Sequence, residues 1–133
     1  MQDSIFTKII KGQIPCHKIY EDGKTIAFLD IHPIQPGHVL VIPKEQVDEF
    51  QDLPDADYIA LWATVKKVAQ RLKLVTGRKR VGIHVIGIDV PHAHVHVFPF
   101  DNVAQYRGVA NMTAEPDHTA LSVMAKKLAF KTY

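Results

Sequence analysis

The 133-residue chain contains a single cysteine, Cys16, so no disulfide can form within it. That excludes the disulfide-stapled secreted scaffolds and fits a reducing, cytoplasmic setting. No apolar run approaches the roughly 20 residues of a membrane-spanning helix. Met1 is not followed by a charged segment and an apolar one, so no signal peptide is expected. Formal net charge is only +2, too small to point to a nucleic-acid or membrane partner. The sequence also lacks internal repeats and low-complexity tracts. What it does have is 47% hydrophobic and 23% charged residues, the balance of an ordinary globular protein. The length and the absence of any linker predict one domain over residues 1–133.

Periodicity predicts an α+β order of elements. "DSIFTKIIKG" is a short helix that Asp3 or Ser4 can cap and Gly12 stops, with Ile5, Phe6 and Ile9 on one face. "IPCHKIYED" and "TIAFLD" are strands around Asp22-Gly23, a hairpin dipeptide. "IHPIQPG" is a loop, and "HVLVIPK" a buried strand closed by Pro43. From about Asp55 to Leu74, Tyr58, Trp62, Val65, Ala69 and Leu72 recur at helical spacing, with Gly77 just beyond. "KRVGIHVIG" and "HAHVHVF" are strands whose short connection, Gly87–Pro91, makes them antiparallel. A last helix over about 116–131 opens at Pro116 and carries Leu121, Met124 and Leu128. The predicted architecture is an antiparallel sheet with one long helix packed on it and a C-terminal helix.

Three of the 8 histidines fall within "HAHVH" in the segment "VPHAHVHVFPF", residues 90–100. In a strand, His92, His94 and His96 share one face, while Ala93, Val95 and Val97 turn into a core. Such a row can be a polar strand face, a metal site or a phosphoryl-transfer site. Neighbouring histidines would stand about 6.6 Å apart along a straight strand, and His92 and His96 about 13 Å. Two could therefore share an ion at 2.0–2.1 Å from each nitrogen, but a third ligand would have to come from His84, His38 or Asp89. For phosphoryl chemistry, one neutral imidazole serves as nucleophile and its neighbours donate hydrogen bonds to the phosphate. The rest of the chain suits a nucleotide. Phe28 and Asp30 lie on one side of their strand, an apolar residue for a base and an acceptor for ribose hydroxyls, and Ile5, Phe6 and Ile9 can complete the slot.

"PHAHVHVF" resembles the signature of the histidine-triad family. "DSIFTKIIKGQIP" is similar to that family's opening segment, and "IAFLDIHPIQPGHVLVIPKEQV" to its second signature, so the resemblance covers roughly residues 3 to 100. It implies the histidine-triad fold and a homodimer. It also implies a hydrolase or transferase acting at the α-phosphate of a purine nucleoside monophosphate derivative, of the phosphoramidate or dinucleoside polyphosphate type. By position, His94 would be the nucleophile that forms a nucleotidyl-histidine. His92 and His96 would flank the phosphate, and His38 would support them. Asp30 and Ile31 would hold the ribose, while Ile5, Phe6, Ile9, Phe28 and Leu40 would line the base pocket. Gly87 and Asp89, in the turn before the triad, would border the phosphate. No cofactor or resident metal is implied, and no nucleic-acid or membrane partner.

The sequence departs from the family at two places. The turn before the triad is compressed to "GIDVPH", with Ile88 where relatives carry Gln and Asp89 where they carry a hydroxyl. A carboxylate beside a phosphate is unfavourable unless it pairs with an imidazolium, so Asp89 is expected to turn into the cluster. Some relatives also carry Cys-x-x-Cys in the opening segment, where this chain reads "SIFT". A nucleotide-binding module without turnover and a metal-dependent hydrolase are the competing readings. His17, His32 and His84 are left without a role, and "GRKR" near Gly77 reads as a solvated loop.

Overall fold

The computed structural model describes residues 2–131. In chain order the elements are α1 (Ile5–Ile10), β1 (Lys18–Glu21), β2 (Thr25–Leu29), β3 (Val39–Pro43), a 3-10 turn (Phe50–Asp52), α2 (Asp55–Thr76), β4 (Arg80–His84), β5 (Val95–Phe100), α3 (Val103–Tyr106) and α4 (His118–Leu128). The strands form one antiparallel sheet in the order β1-β2-β3-β5-β4.

Strand alternation sorts side chains onto two faces. On the back, Ala27, Leu29, Val39, Val41, Val95 and Val97 pack beneath α2 and α4 in the main core. On the front, Ile26, Phe28, Leu40 and Ile42 gather with Phe6 of α1 in a second cluster. Because β2 and β3 are covered on both faces, every residue in them is buried, and apart from Thr25 the sequence there is apolar. α2 ends as expected at Gly77, left-handed with φ 65°, whose N–H bonds to the Lys73 carbonyl. Its buried stripe is Leu61, Thr64, Val65, Val68 and Leu72. The expected stripe is therefore rotated: Trp62 and Ala69 lie at its flank and Tyr58 is exposed. Thr64 takes a core position because its hydroxyl meets that of Thr25 at 2.7 Å, both residues being buried.

Three further boundaries differ from the expectations. The triad strand begins at Val95, not at His92, because the His92 amide turns back onto the Val90 carbonyl and the Ala93 amide is taken by Val47 outside the ladder. β4 stops at His84, before "VIG". α4 occupies 118–128, with Asp117 rather than Pro116 at its start, where the Asp117 carboxylate accepts from the Ala120 N–H. α3 was not foreseen: it is one turn, capped by Asn102, and its Tyr106 lies against Gly82 of β4 and donates to the Ile83 carbonyl. A Cβ at position 82 would overlap the Tyr106 ring. Gly82→Ala should therefore destabilise the fold by about 1–3 kcal/mol, read as a lowered urea midpoint at unchanged slope.

Candidate functional site

The register lines up a row across four strands. Phe28 on β2 stands opposite Leu40 on β3, Leu40 opposite His96 on β5, and His96 opposite His84 on β4. One end of the front face is thus apolar and the other is imidazole. His94 sits just ahead of β5, with its ring centroid 5.0 Å from His96 and 4.9 Å from Phe6. His38 precedes β3 and contacts both His96 and Phe98.

The hydrogen bonds fix the tautomer of each ring, because an amide N–H can only donate and a carbonyl can only accept. The Ile34 N–H donates to His38 Nδ1 at 3.0 Å, so the neutral His38 ring carries its proton on Nε2. That proton is donated to His96 Nδ1 at 2.9 Å, which places the His96 proton on Nε2. His94 donates from Nδ1 to the His92 carbonyl at 2.8 Å and so keeps a bare lone pair on Nε2. His92 donates from Nε2 to the Pro43 carbonyl at 2.8 Å, leaving Nδ1 to accept from the Ser4 hydroxyl at 2.7 Å. Adjacent rings therefore present opposite functions at Nε2, an acceptor on His94 and a donor on His96.

His38, His92 and His96 are kept neutral first by burial. His38 is held down from 6.5 to about 3, with the neighbouring His96 and His84 adding to the effect. His96 is held to about 4 by burial and then by His94 and His84. His92 is lowered as well, mainly by burial. Asp30 is pushed above the usual carboxylate range by burial, although the His32 amide donates to its Oδ1. Apart from the Asp30 carboxylate, 3.7 Å from His38 and 3.9 Å from His96, the ionisable neighbours acting on these groups are histidines, and no Lys or Arg occurs between Arg80 and Arg107.

Asp30, His38 and His96 can be tested as a metal site. Their facing atoms are separated by 2.9, 3.7 and 3.9 Å, and the centre of that triangle lies about 2.1 Å from each corner, the zinc-ligand distance. The outer hydrogen bonds do not fit. A neutral histidine binding metal through Nε2 carries its proton on Nδ1 and needs an acceptor there, whereas His38 Nδ1 faces the Ile34 N–H donor. The three residues suit a proton-ordered chain rather than an ion.

The expected site residues are partly brought together. His92, His94, His96, His38 and Asp30 converge. Phe6, Phe28 and Leu40 form one buried cluster against which Ile9 packs. Ile5 is 49% exposed and lies outside that cluster, because the buried face of the short α1 is taken by Phe6. Ile31 is also exposed, beside a cavity of about 160 Å³ that lies between the 30–38 loop and α4 and touches Asp30 and His38. Gly87 has φ 69°, which lets the chain turn ahead of the triad. Asp89 does not pair with an imidazole as expected. It is exposed, and no hydrogen bond or ion pair among the described residues ties it to a histidine, since the compressed turn points it to solvent. Two members were missed. His84 joins through cross-strand register, which sequence spacing does not reveal. Ser4, read as a helix cap, also reaches a histidine 88 residues away.

A family model described as the HIT domain matches residues 11–103. An adenosine 5'-monophosphoramidase of Candida albicans is 37% identical over 134 residues, covering 93% of this chain and 88% of that protein. The crystal structure of a HIT-like protein from Bartonella henselae shares the fold with TM-score 0.81 at 30% identity, over 95% of this chain and 94% of that one. A histidine triad nucleotide-binding protein from Candida albicans gives TM-score 0.68 at 35% identity, over 95% and 94% of the two chains.

Proposed function

The chain belongs to the HIT-domain family and is an enzyme, and from that premise we propose that it hydrolyses nucleoside 5'-phosphoramidates through a covalent nucleotidyl-His94. One observation carries this reading: His94 presents a bare Nε2 beside a His96 ring that presents Nε2–H. His94 Nε2 attacks the α-phosphorus while His96 Nε2–H donates a hydrogen bond to a phosphate oxygen, the P–N bond breaks, and the departing amine takes a proton from solvent. Water then attacks phosphorus, the P–His94 bond breaks, the nucleoside monophosphate leaves, and the proton from the water passes to solvent. The base lies towards Phe6, Ile9, Phe28 and Leu40, and the ribose towards Asp30 and Ile31. Gly87 borders the phosphate from the turn, and Asp89 stays on its solvent side.

A phosphoramidate is favoured over a dinucleoside polyphosphate on charge. The site holds neutral imidazoles with no Lys or Arg in β2, β3, β5 or the turn before the triad, and Arg80 of β4 stands opposite Phe100, four residues along β5 from His96. One negative charge at phosphorus is tolerable there, while a polyphosphate chain would find no cation in those segments. The similarity to an adenosine 5'-monophosphoramidase supports the same class.

The test is release of AMP and ammonia from adenosine 5'-phosphoramidate, with and without EDTA. Turnover unchanged by the chelator is expected. AMP binding without turnover would make the protein a binding module, and loss of activity in EDTA would make it metal-dependent.

We also propose a homodimer. β4 is a sheet edge, with Ile83, Val85 and Ile86 exposed on and beyond it. Tyr58, Ile59 and Leu74 are exposed on α2. A second copy related by a two-fold axis would cover these groups. Light scattering at micromolar concentration should give twice the chain's 15.0 kDa, and a mass of 15.0 kDa would refute the dimer.

A further inference from the structure

The two ends of the site are joined by a polar knot that the chemistry above does not use. Ser4 is buried at the start of α1, and its Oγ accepts the Thr7 N–H at 3.0 Å as a helix cap. The same hydroxyl lies 2.7 Å from His92 Nδ1. His92 Nε2 already donates to the Pro43 carbonyl, so Nδ1 must accept and Ser4 must donate. Gln46 holds this arrangement: its Oε1 accepts from the Ser4 N–H at 2.9 Å and from the Thr7 hydroxyl at 2.6 Å, while its amide nitrogen donates to the Gln2 carbonyl. On the far side, the His92 carbonyl receives the Nδ1–H of His94 and so sets the direction of His94 Nε2. On the near side, α1 carries Phe6, whose ring contacts Phe28 and His94.

We propose that Ser4, held by Thr7 and Gln46, is a positioning residue that couples occupancy of the Phe6 end of the site to the orientation of the His94 nucleophile. This rests on the reading of His94 as nucleophile given above. A base settling against Phe6 bears on α1, α1 bears on Ser4, and the Ser4–His92 hydrogen bond transmits this to the carbonyl that holds His94. Capping alone would need only an acceptor on Ser4. Coupling needs a donor as well, and the two roles can be separated.

Ser4→Thr keeps both functions. Ser4→Asp keeps the acceptor for the Thr7 N–H but offers His92 no proton. Ser4→Ala loses both. With adenosine 5'-phosphoramidate, Ser4→Thr should stay within about threefold of the parent. Ser4→Asp and Ser4→Ala should lose about tenfold or more in kcat with KM within about threefold, the split expected when alignment rather than binding is lost. In Ser4→Asp the acid limb of the kcat profile should also move to higher pH, because a carboxylate at His92 Nδ1 favours the imidazolium. Imidazole nitrogen NMR gives a readout independent of turnover: AMP should shift the His92 and His94 resonances together in the parent, and His94 without His92 in Ser4→Ala. Parent-like kcat and pH profile in Ser4→Asp would reduce Ser4 to a helix cap and overturn the coupling. A parent that binds AMP with linked His92 and His94 shifts yet hydrolyses nothing would instead overturn the proposed reaction and leave the coupling standing.

Discussion

His94→Ala should abolish phosphoramidate turnover, with a loss of about 10⁴-fold or more in kcat, while AMP binding changes by less than about tenfold, or about 1.4 kcal/mol. The asymmetry follows from the tautomers. His94 is the ring in the row whose Nε2 is bare and whose proton is held by a backbone carbonyl. Removing it takes away the bond-forming atom but leaves the base end at Phe6, Phe28 and Leu40 intact. His96 cannot substitute, because its Nδ1 is occupied by His38 and its Nε2 carries the proton. Isothermal titration with AMP and a discontinuous AMP-release assay check the two halves separately. A variant that turned over near the parent rate would move the nucleophile elsewhere.

Lowering the pH from 7 to 5 should cost the fold roughly 3–4 kcal/mol through His38 and His96 together, about 2 kcal/mol from each. Both rings titrate lower in the folded chain than in the unfolded one, to about 3 and about 4 against 6.5. Below 6.5 the unfolded chain therefore binds protons that the folded chain does not. Their contribution is fully present above about pH 6.5 and is lost as pH falls from there towards the folded values. At pH 5 both buried rings are still neutral, so the difference is nearly the full protonation free energy of two exposed histidines. Urea midpoints at pH 7 and pH 5 measure it, and His38→Gln should flatten the dependence by about half. Equal midpoints in the parent would show that the cluster is not held neutral by burial.

The fold was legible where one signal dominated. The α2 repeat, ended by Gly77, located that helix to within about two residues, and the Asp22-Gly23 turn placed the first hairpin. Where several partners compete, local pattern fails. The alternation at His92–Val97 reads as one strand, but the chain leaves the ladder at His94 because Val90, Val47 and Pro43 offer better partners to His92 and Ala93. The site shows the same division. The triad, His38 and Asp30 are marked by residue type and order. His84 enters only through its register with His96, and Ser4 only through a contact with a histidine 88 residues away. The pairing expected of Asp89 failed because its position was inferred from a longer turn than this chain possesses.

The most direct test of the central claim is a single-turnover reaction with adenosine 5'-phosphoramidate, quenched in base to spare the P–N bond and followed by tryptic mapping. Cleavage at Arg80 and Arg107 leaves the triad in one peptide, residues 81–107. One adenylyl group on that peptide, located at His94, appearing and decaying at rates that account for AMP release, is the predicted result. AMP release at the full rate with no adduct at any time, or an adduct on another residue, would contradict the nucleotidyl-His94 mechanism.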